Sequence, residues 1–407
     1  MLHEPVNQSP ATANDTSRPA AELPTFTPEW DLLLAASSSD PITGRMAGPL
    51  HDSSAKRPID WAAVLRLATD HGISSLLHHN LPRAGSLAPP AILASLRQTY
   101  ETNVHKSLFL TRELFRILDS LDALGIEAIP YKGVVLSDLY YGDMALRQSG
   151  DIDVFVHAGD VLRIKNAVRD LGFVPRLPIP AAAEKDYIAS GYECTFDSPA
   201  GKNLLELKWA LQPRFYSVDY DLDGLFKHAE NVPFAGRILK TLSPEDLLLV
   251  LSVHAAKHVW GRLIWLCDID RILQRDQLNW DWVSEYAREL GVERILRITL
   301  CLAHRFLRTK IPSPMESSIL GDKTVQAFAD KIAVAVVAGT TYEDRQISYF
   351  RLMMQIRERP ADRLRFLTRL AFTPGPGEWE KVRLPRFLFP LYRVVRLARL
   401  ASRLTGG

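Results

Sequence analysis

Residues 151–156, Asp-Ile-Asp-Val-Phe-Val, restrict what this chain can fold into more than any other stretch. Val154, Phe155 and Val156 read as the middle of a buried strand, yet two acids stand where it begins. Side chains alternate along a strand, so Asp151 and Asp153 share one face while Ile152, Val154 and Val156 occupy the other. Carboxylates so placed lie roughly 7 Å apart at the Cα level and repel each other, and Asp is a poor strand former. Something must offset that cost, and a divalent cation is the expected partner.

The hydrophobic period changes along the chain. Residues 1–56 are rich in Pro, Ser, Ala, Thr and Asp and lack periodicity, which predicts a disordered segment holding a short helix over 24–36. From residue 57 the pattern is helical, with Trp61, Val64, Leu65 and Ala68 at helix spacing. A longer run over 91–124 carries a stripe of Leu108, Leu114, Phe115, Leu118 and Leu121 and stops at Gly125, so 57–125 is an expected N-terminal helical region. Residues 126–242 alternate short strands with helices. Strands are expected at 126–131 and 151–156, with a helix opening after Lys132-Gly133 and an amphipathic helix ending at Gly172. Segments 192–198 and 203–211 form two further strands joined by a Ser-Pro-Ala-Gly turn. After Ser243 nearly everything is helical, so 243–407 is a C-terminal helical region with a basic tail. The fold class is α+β: a small mixed-sheet core flanked by N-terminal and C-terminal helical regions.

Candidate chemistry gathers in the middle segment. Glu206 lies between Leu205 and Leu207, a third acid within a strand. Asp151, Asp153 and Glu206 on neighbouring strands would hold one or two Mg²⁺ ions, which neutralise a triphosphate and favour in-line displacement. Glu193 and Asp197 on the preceding strand are alternatives for the third acid. Lys132-Gly133 stands at a strand-to-helix junction, where free N–H groups, a glycine and a cation suit a phosphate. Arg147 could organise the acids or reach phosphate oxygens, and the organising role is preferred.

Downstream, a single helix over 245–272 would place His254, His258, Arg262, Trp265 and Asp268 on one side. His254 and His258 are four residues apart but lack a third zinc ligand, so structural histidines packed on the α/β segment are the simpler expectation. His258 and Arg262 are the candidates for nucleotide or substrate contact. The C-terminal Lys-Val-Arg-Leu-Pro-Arg-Phe-Leu-Phe-Pro-Leu-Tyr-Arg segment is basic and aromatic, with no acid after Glu380. Docking through its apolar face is expected, with peripheral contact to an anionic membrane as the alternative.

The stretch 131–156, Tyr-Lys-Gly, then an aromatic-rich helix, then Arg-x-x-x-Asp-Ile-Asp, resembles the uncharacterised nucleotidyltransferase family of the polymerase-β superfamily. Segments at 59–77, 254–273 and 384–400 resemble further blocks of that family, so the similarity extends over roughly 58–403. The resemblance implies a nucleotidyltransferase-type core and Mg²⁺-dependent transfer of NMP from NTP, with Mn²⁺ as a substitute ion. Its acids would be Asp151, Asp153 and Glu206, and its turn glycine Gly133. It also implies a hydroxyl or phosphate acceptor on a small molecule, peptide or protein, and a tailoring role in natural-product or polysaccharide assembly. Two positions depart from the pattern. The turn is Lys-Gly where the superfamily usually has Gly-Ser, and Lys208 stands where relatives often carry His before Trp. A kinase or a sugar-phosphate or glycosyl transferase on the same scaffold is the first rival. A non-catalytic interaction module is the second, and retention of all three acids argues against it.

Bulk properties narrow the remainder. A chain of 407 residues can bury a large core, and its net charge of +2 singles out no partner. Three scattered cysteines, the missing leader pattern and the absence of a long apolar run lead to an expected cytoplasmic location. No Walker loop, zinc-finger spacing or RNA-binding signature points to nucleic acid.

Overall fold

A five-stranded mixed sheet separates two hydrophobic cores. The computed structural model describes residues 26–39, 58–82, 88–198, 201–340, 346–373, 388 and 391–405. The strands are β1 (Ala128–Pro130), β2 (Ile152–Val156), β3 (Val174–Pro175), β4 (Glu193–Ser198) and β5 (Gly201–Lys208), in the order β1-β2-β5-β4-β3. β2 and β5 run parallel, and the other neighbours are antiparallel.

Alternation along β2 assigns its side chains to opposite cores. Ile152, Val154 and Val156 join Leu205 and Leu207 against Leu114, Ile117 and Leu121 of helix Pro90–Asp122 and Ile164 and Val168 of helix Val161–Asp170. Phe155 points the other way, with Ile129 and Tyr131, into a core built on helices Pro244–Lys257, Leu263–Arg275 and Glu293–Leu307. All five β2 residues are buried. Each such large apolar side chain contributes about 1.5–3 kcal/mol of transfer free energy, so the strand is fixed from both sides. Asp153 shares the Phe155 face, which puts its carboxylate between the sheet and the C-terminal helices.

The expected single helix over 245–272 is two helices. Ser243 caps the first, accepting the Asp246 N–H at 3.2 Å with Pro244 at the first helical position. It ends at Lys257 because Val259 and Trp260 take left-handed backbone angles, φ 52° and 49°. The Trp260 indole is fully buried and donates to Thr299 Oγ1 at 2.9 Å. Burying it stabilises the reversal that a continuous helix would forbid.

Other elements also differ from the expectation. Glu230–Phe234 (β6) and Arg237–Thr241 (β7) form a hairpin absent from the sequence reading, turning at Ala235 and Gly236 with φ 44° and 81°. Thr241 Oγ1 donates to the Pro130 carbonyl at 2.8 Å, tying this hairpin to the end of β1. The short helix expected over 24–36 is present as Pro28–Ser37, and what differs is its packing: it buries Leu32, Leu33, Leu34, Ala35 and Ala36 in the larger core. Residues 1–25 and 40–56 lie outside the described residues, as do the Pro199-Ala200 turn and most of 374–390. Helix Tyr392–Thr405 packs through buried Tyr392, while Arg396 Nε donates to the Leu370 carbonyl at 3.0 Å. Among the described residues no helix is long and apolar enough to cross a membrane.

Candidate metal centre

Strand register brings the acids together. β2 and β5 pair with Asp153 directly beside Glu206, and Asp151 immediately precedes β2. One carboxylate oxygen from each of Asp151, Asp153 and Glu206 lies within 4.8 Å of the others. Asp153 is buried and the other two are half-buried, so the cluster opens on one side. Glu193 of β4 also reaches it through Lys208, its register partner on β5. Asp197, the other alternative, pairs with Val174 of β3 and takes no part in the acid cluster.

Two lysines meet the acids from within. Lys208 Nζ lies 2.5 Å from Glu206, 2.9 Å from Glu193 and 3.2 Å from Asp153. Lys132 Nζ lies 3.6 Å from the same Asp153 Oδ1 and 3.5 Å from His254 Nδ1. Asp153 Oδ1 nevertheless makes no hydrogen bond of regular geometry and is buried. A buried carboxylate oxygen with electrostatic neighbours but no directed donor fits a hard divalent cation, and an all-carboxylate donor set favours Mg²⁺, Mn²⁺ or Ca²⁺ over softer metals.

The surroundings split the acids electrostatically. Burial opposes ionisation of Asp153, but the Lys132 and Lys208 ammoniums outweigh it and hold its pKa down at about 2. Burial, reinforced by the charges of Asp153 and Glu206, raises Asp151 to about 6. Burial likewise raises Glu206, against the pull of Lys208. His254 is forced well below its usual range, first by burial and then by Lys132, so its neutral ring can accept from the Lys132 ammonium.

Gly133 is required by geometry. It opens helix Gly133–Tyr141 at φ +62°, and a Cβ there would come within 3.2 Å of the Asp151 carbonyl. The tight contact lets the helix start press against the segment that carries the acids. Lys132, at the N-cap, makes no side-chain cap, so the first-turn N–H groups have no capping partner from that side chain.

Arg147, expected to organise the acids or to reach phosphate oxygens, contacts neither Asp151 nor Asp153 and pairs elsewhere. Its Nε and Nη2 donate to Asp268 at 2.8 and 2.9 Å, with both side chains buried, and Tyr141 donates to the same Asp268 at 2.7 Å. Arg147 therefore organises the loop before Asp151 by anchoring it to helix Leu263–Arg275. His258 caps the end of the preceding helix, and its ring lies 4.9 Å from His254 and 5.2 Å from Trp265. Burial, Lys257 and Lys132 lower its pKa to about 3, although it keeps an exposed edge at the rim. Arg262 turns away: its Nε donates to the Asp70 carbonyl at 3.0 Å, because the break after Lys257 redirects the chain. The structure thus gathers Asp151, Asp153, Glu206, Lys132 and Gly133, leaves His258 at the edge, and puts Arg147 and Arg262 on other partners.

Sequence reasoning treated Lys208 as a departure from a pattern and did not make it part of the site. The signal was available, since Glu206 and Lys208 are two residues apart on a strand and must share a face. Lys257 carried no comparable signal, and Asp268 reads only as part of the polar side of the expected helix. Burial lowers the Lys257 pKa to about 8, and Glu193 opposes that shift.

Residues 57–308 match the family described as uncharacterised nucleotidyltransferase. The chain belongs to that family. The match takes in Lys132, Gly133 and all three clustered acids, and the mixed sheet flanked by helices is the core in which this family member sets them. No curated protein matches the chain. A crystal structure of an antigenic nucleotidyltransferase-like protein from Paracoccidioides brasiliensis is similar over 55% of this chain and 98% of its own, at 18% identity and a TM-score of 0.32. So distant a likeness carries no inference about the chemistry of this family member.

Proposed function

We propose that this protein is a divalent-metal-dependent nucleotidyltransferase that moves NMP from an NTP to a hydroxyl or phosphate of a small molecule, peptide or protein. The observation that carries this assignment is the convergence of Asp151, Asp153 and Glu206 at a half-open cluster in which a buried oxygen, Asp153 Oδ1, has no hydrogen-bond partner of regular geometry. Asp151, Asp153 and Glu206 would hold Mg²⁺ or Mn²⁺. When bound, such an ion neutralises triphosphate charge and stabilises an in-line displacement.

The chain's own groups supply the rest. The Lys132 ammonium lies beside Asp153, and the start of helix Gly133–Tyr141 abuts the Asp151 segment; a cation and free helix-start N–H groups suit phosphate oxygens. An acceptor oxygen attacks the α-phosphorus, the bond to the bridging oxygen breaks, and pyrophosphate leaves. A hydroxyl proton released in that attack passes to a carboxylate of the cluster, Glu206 on its half-buried side being the candidate. A tailoring step in natural-product or polysaccharide assembly would offer acceptors of this kind.

Thermal shift with each NTP, with Mg²⁺ or with EDTA, tests the assignment in the wild type and in Asp153→Asn. Mg²⁺ with the correct NTP at a hundredfold over Kd should stabilise the wild type by about 2.7 kcal/mol. Asp153→Asn should abolish that gain. Equal stabilisation in EDTA or by the variant would remove the metal from the proposal. Trapping the leaving group then separates nucleotidyl transfer, which releases pyrophosphate, from kinase or sugar-nucleotide chemistry, which releases NDP.

A further inference from the structure

β5 carries Glu206 and Lys208 on one face, and register sets Lys208 beside Phe155 of β2 on one side and Glu193 of β4 on the other. Its side chain is only 8% exposed, and its ammonium contacts oxygens of Asp153, Glu193 and Glu206 at 3.2, 2.9 and 2.5 Å. A divalent ion bridging Asp153 and Glu206 would take those same oxygens at about 2.0–2.1 Å for Mg²⁺. Two cations cannot share that position in a buried site, where their repulsion is weakly screened. Asp151 differs: among the described residues no cationic side chain lies within 4 Å of its carboxylate, and it is half-buried, so it is reachable without displacing a lysine.

We infer that Lys208 is a resident cation occupying the place of a second divalent ion, so that the centre takes one exchangeable divalent cation, on the Asp151 side of Asp153. The inference rests on the acid cluster being a metal centre, as proposed above, and narrows the ligands of its ion to Asp151 and Asp153, with Glu206 held by Lys208. It goes further in making Lys208 the residue that sets the stoichiometry of the site. A neutral side chain at 208 leaves Asp153, Glu193 and Glu206 without their shared counter-charge and opens the second position. Histidine there keeps a polar group but no obligatory charge.

The test is a count of bound ions using Mn²⁺ alone, followed by electron paramagnetic resonance of free Mn²⁺, on the full chain without nucleotide. The wild type should bind one Mn²⁺ per chain and Lys208→Met two, with Lys208→His also gaining the second site at near-neutral pH. The Mn²⁺-induced rise in Tm should be larger in Lys208→Met than in the wild type. Should Lys208→Met fold only when Mn²⁺ is present, that dependence supports the same conclusion. Two ions in the wild type, or a single ion in the folded Lys208→Met and Lys208→His proteins, would overturn the role of Lys208 and leave the metal centre standing. Saturable binding in none of the three proteins would take down the metal centre itself, and the inference with it.

Discussion

Arg147 and Asp268 form a two-pronged buried ion pair, 2.8 and 2.9 Å, that joins the loop leading into the acid-bearing strand to a helix more than a hundred residues further along the chain. The site is thus held from outside the sheet as well as from within it. Removing one partner leaves the other charge buried and uncompensated. Arg147→Met should destabilise the protein by about 3–5 kcal/mol, measured by urea unfolding. Arg147→Met combined with Asp268→Leu should recover much of that loss. If the double variant is as unstable as the sum of the single ones, the pair is not acting as a unit.

Gly133 offers a test of backbone geometry. Its φ of +62° and the 3.2 Å approach of a notional Cβ to the Asp151 carbonyl both oppose a side chain. Gly133→Ala should cost about 1–2 kcal/mol from the left-handed backbone alone. It should also weaken Mg²⁺-dependent NTP binding, because the strain is relieved by shifting the segment that carries Asp151. Unchanged titration curves would show that the helix start can move without moving the acids.

His254 in helix Pro244–Lys257 and His258 at its C-cap should behave differently. His254 accepts from Lys132 in a buried setting, so His254→Ala should destabilise by about 1–3 kcal/mol. The His258 side chain stacks at the exposed rim, so His258→Ala should change stability by less than about 1 kcal/mol. If it contacts substrate, its effect should appear instead as weaker MgNTP binding or a raised KM. Chemical denaturation and nucleotide titration of both variants, side by side, would expose a reversal of this order.

These contrasts mark what could be read from the chain beforehand. Four of the sheet's five strands, the acids and the helix after Gly133 follow from local pattern: a short strand before Lys132, alternation at 151–156, two more short strands, and a glycine between strand and helix. β3 is only two residues long and leaves no period to read. Asp268 as the partner of Arg147 is a long-range choice made by packing, and no local period encodes it. The break after Lys257 was hidden because the preference of Trp260 for the core outweighs a helical pattern that continues on both sides of it. The β6–β7 hairpin escaped because its turn, Ala235-Gly236, is weak as a signal and its strands are mostly exposed.

His71 gives the pH dependence a definite sign. Its ring is buried against Trp30, accepts the Leu263 N–H at 3.3 Å, and burial lowers its pKa from 6.5 to about 4. The unfolded chain therefore binds this proton at a higher pH than the folded one. The stability at stake is fully present above about 6.5 and is lost as pH falls toward about 4, amounting to about 3 kcal/mol. Unfolding free energies of the wild type and His71→Phe, compared across that window, should show a shallower slope for the variant. Parallel slopes would mean that His71 titrates normally in the folded protein.

The last helix should be part of the folded body. Tyr392 is buried and Arg396 donates to the Leu370 carbonyl while lying 5.7 Å from the Phe215 ring. Deleting 392–407 should lower Tm and promote aggregation. A truncated protein of equal stability that loses affinity for anionic vesicles would instead favour the membrane alternative.

The lysines inside the acid cluster have a consequence for how the protein is made. Many metal sites gather bare carboxylates that cannot be brought together until the ion arrives, and such chains fold only when loaded. Here the ammoniums of Lys132 and Lys208 already balance part of the charge around Asp153. A newly synthesised chain can therefore complete its fold in metal-poor surroundings, and chelators should strip the ion without unfolding the protein. An ion held there would then be a passenger that could come and go with a nucleotide, and the scaffold would not depend on it.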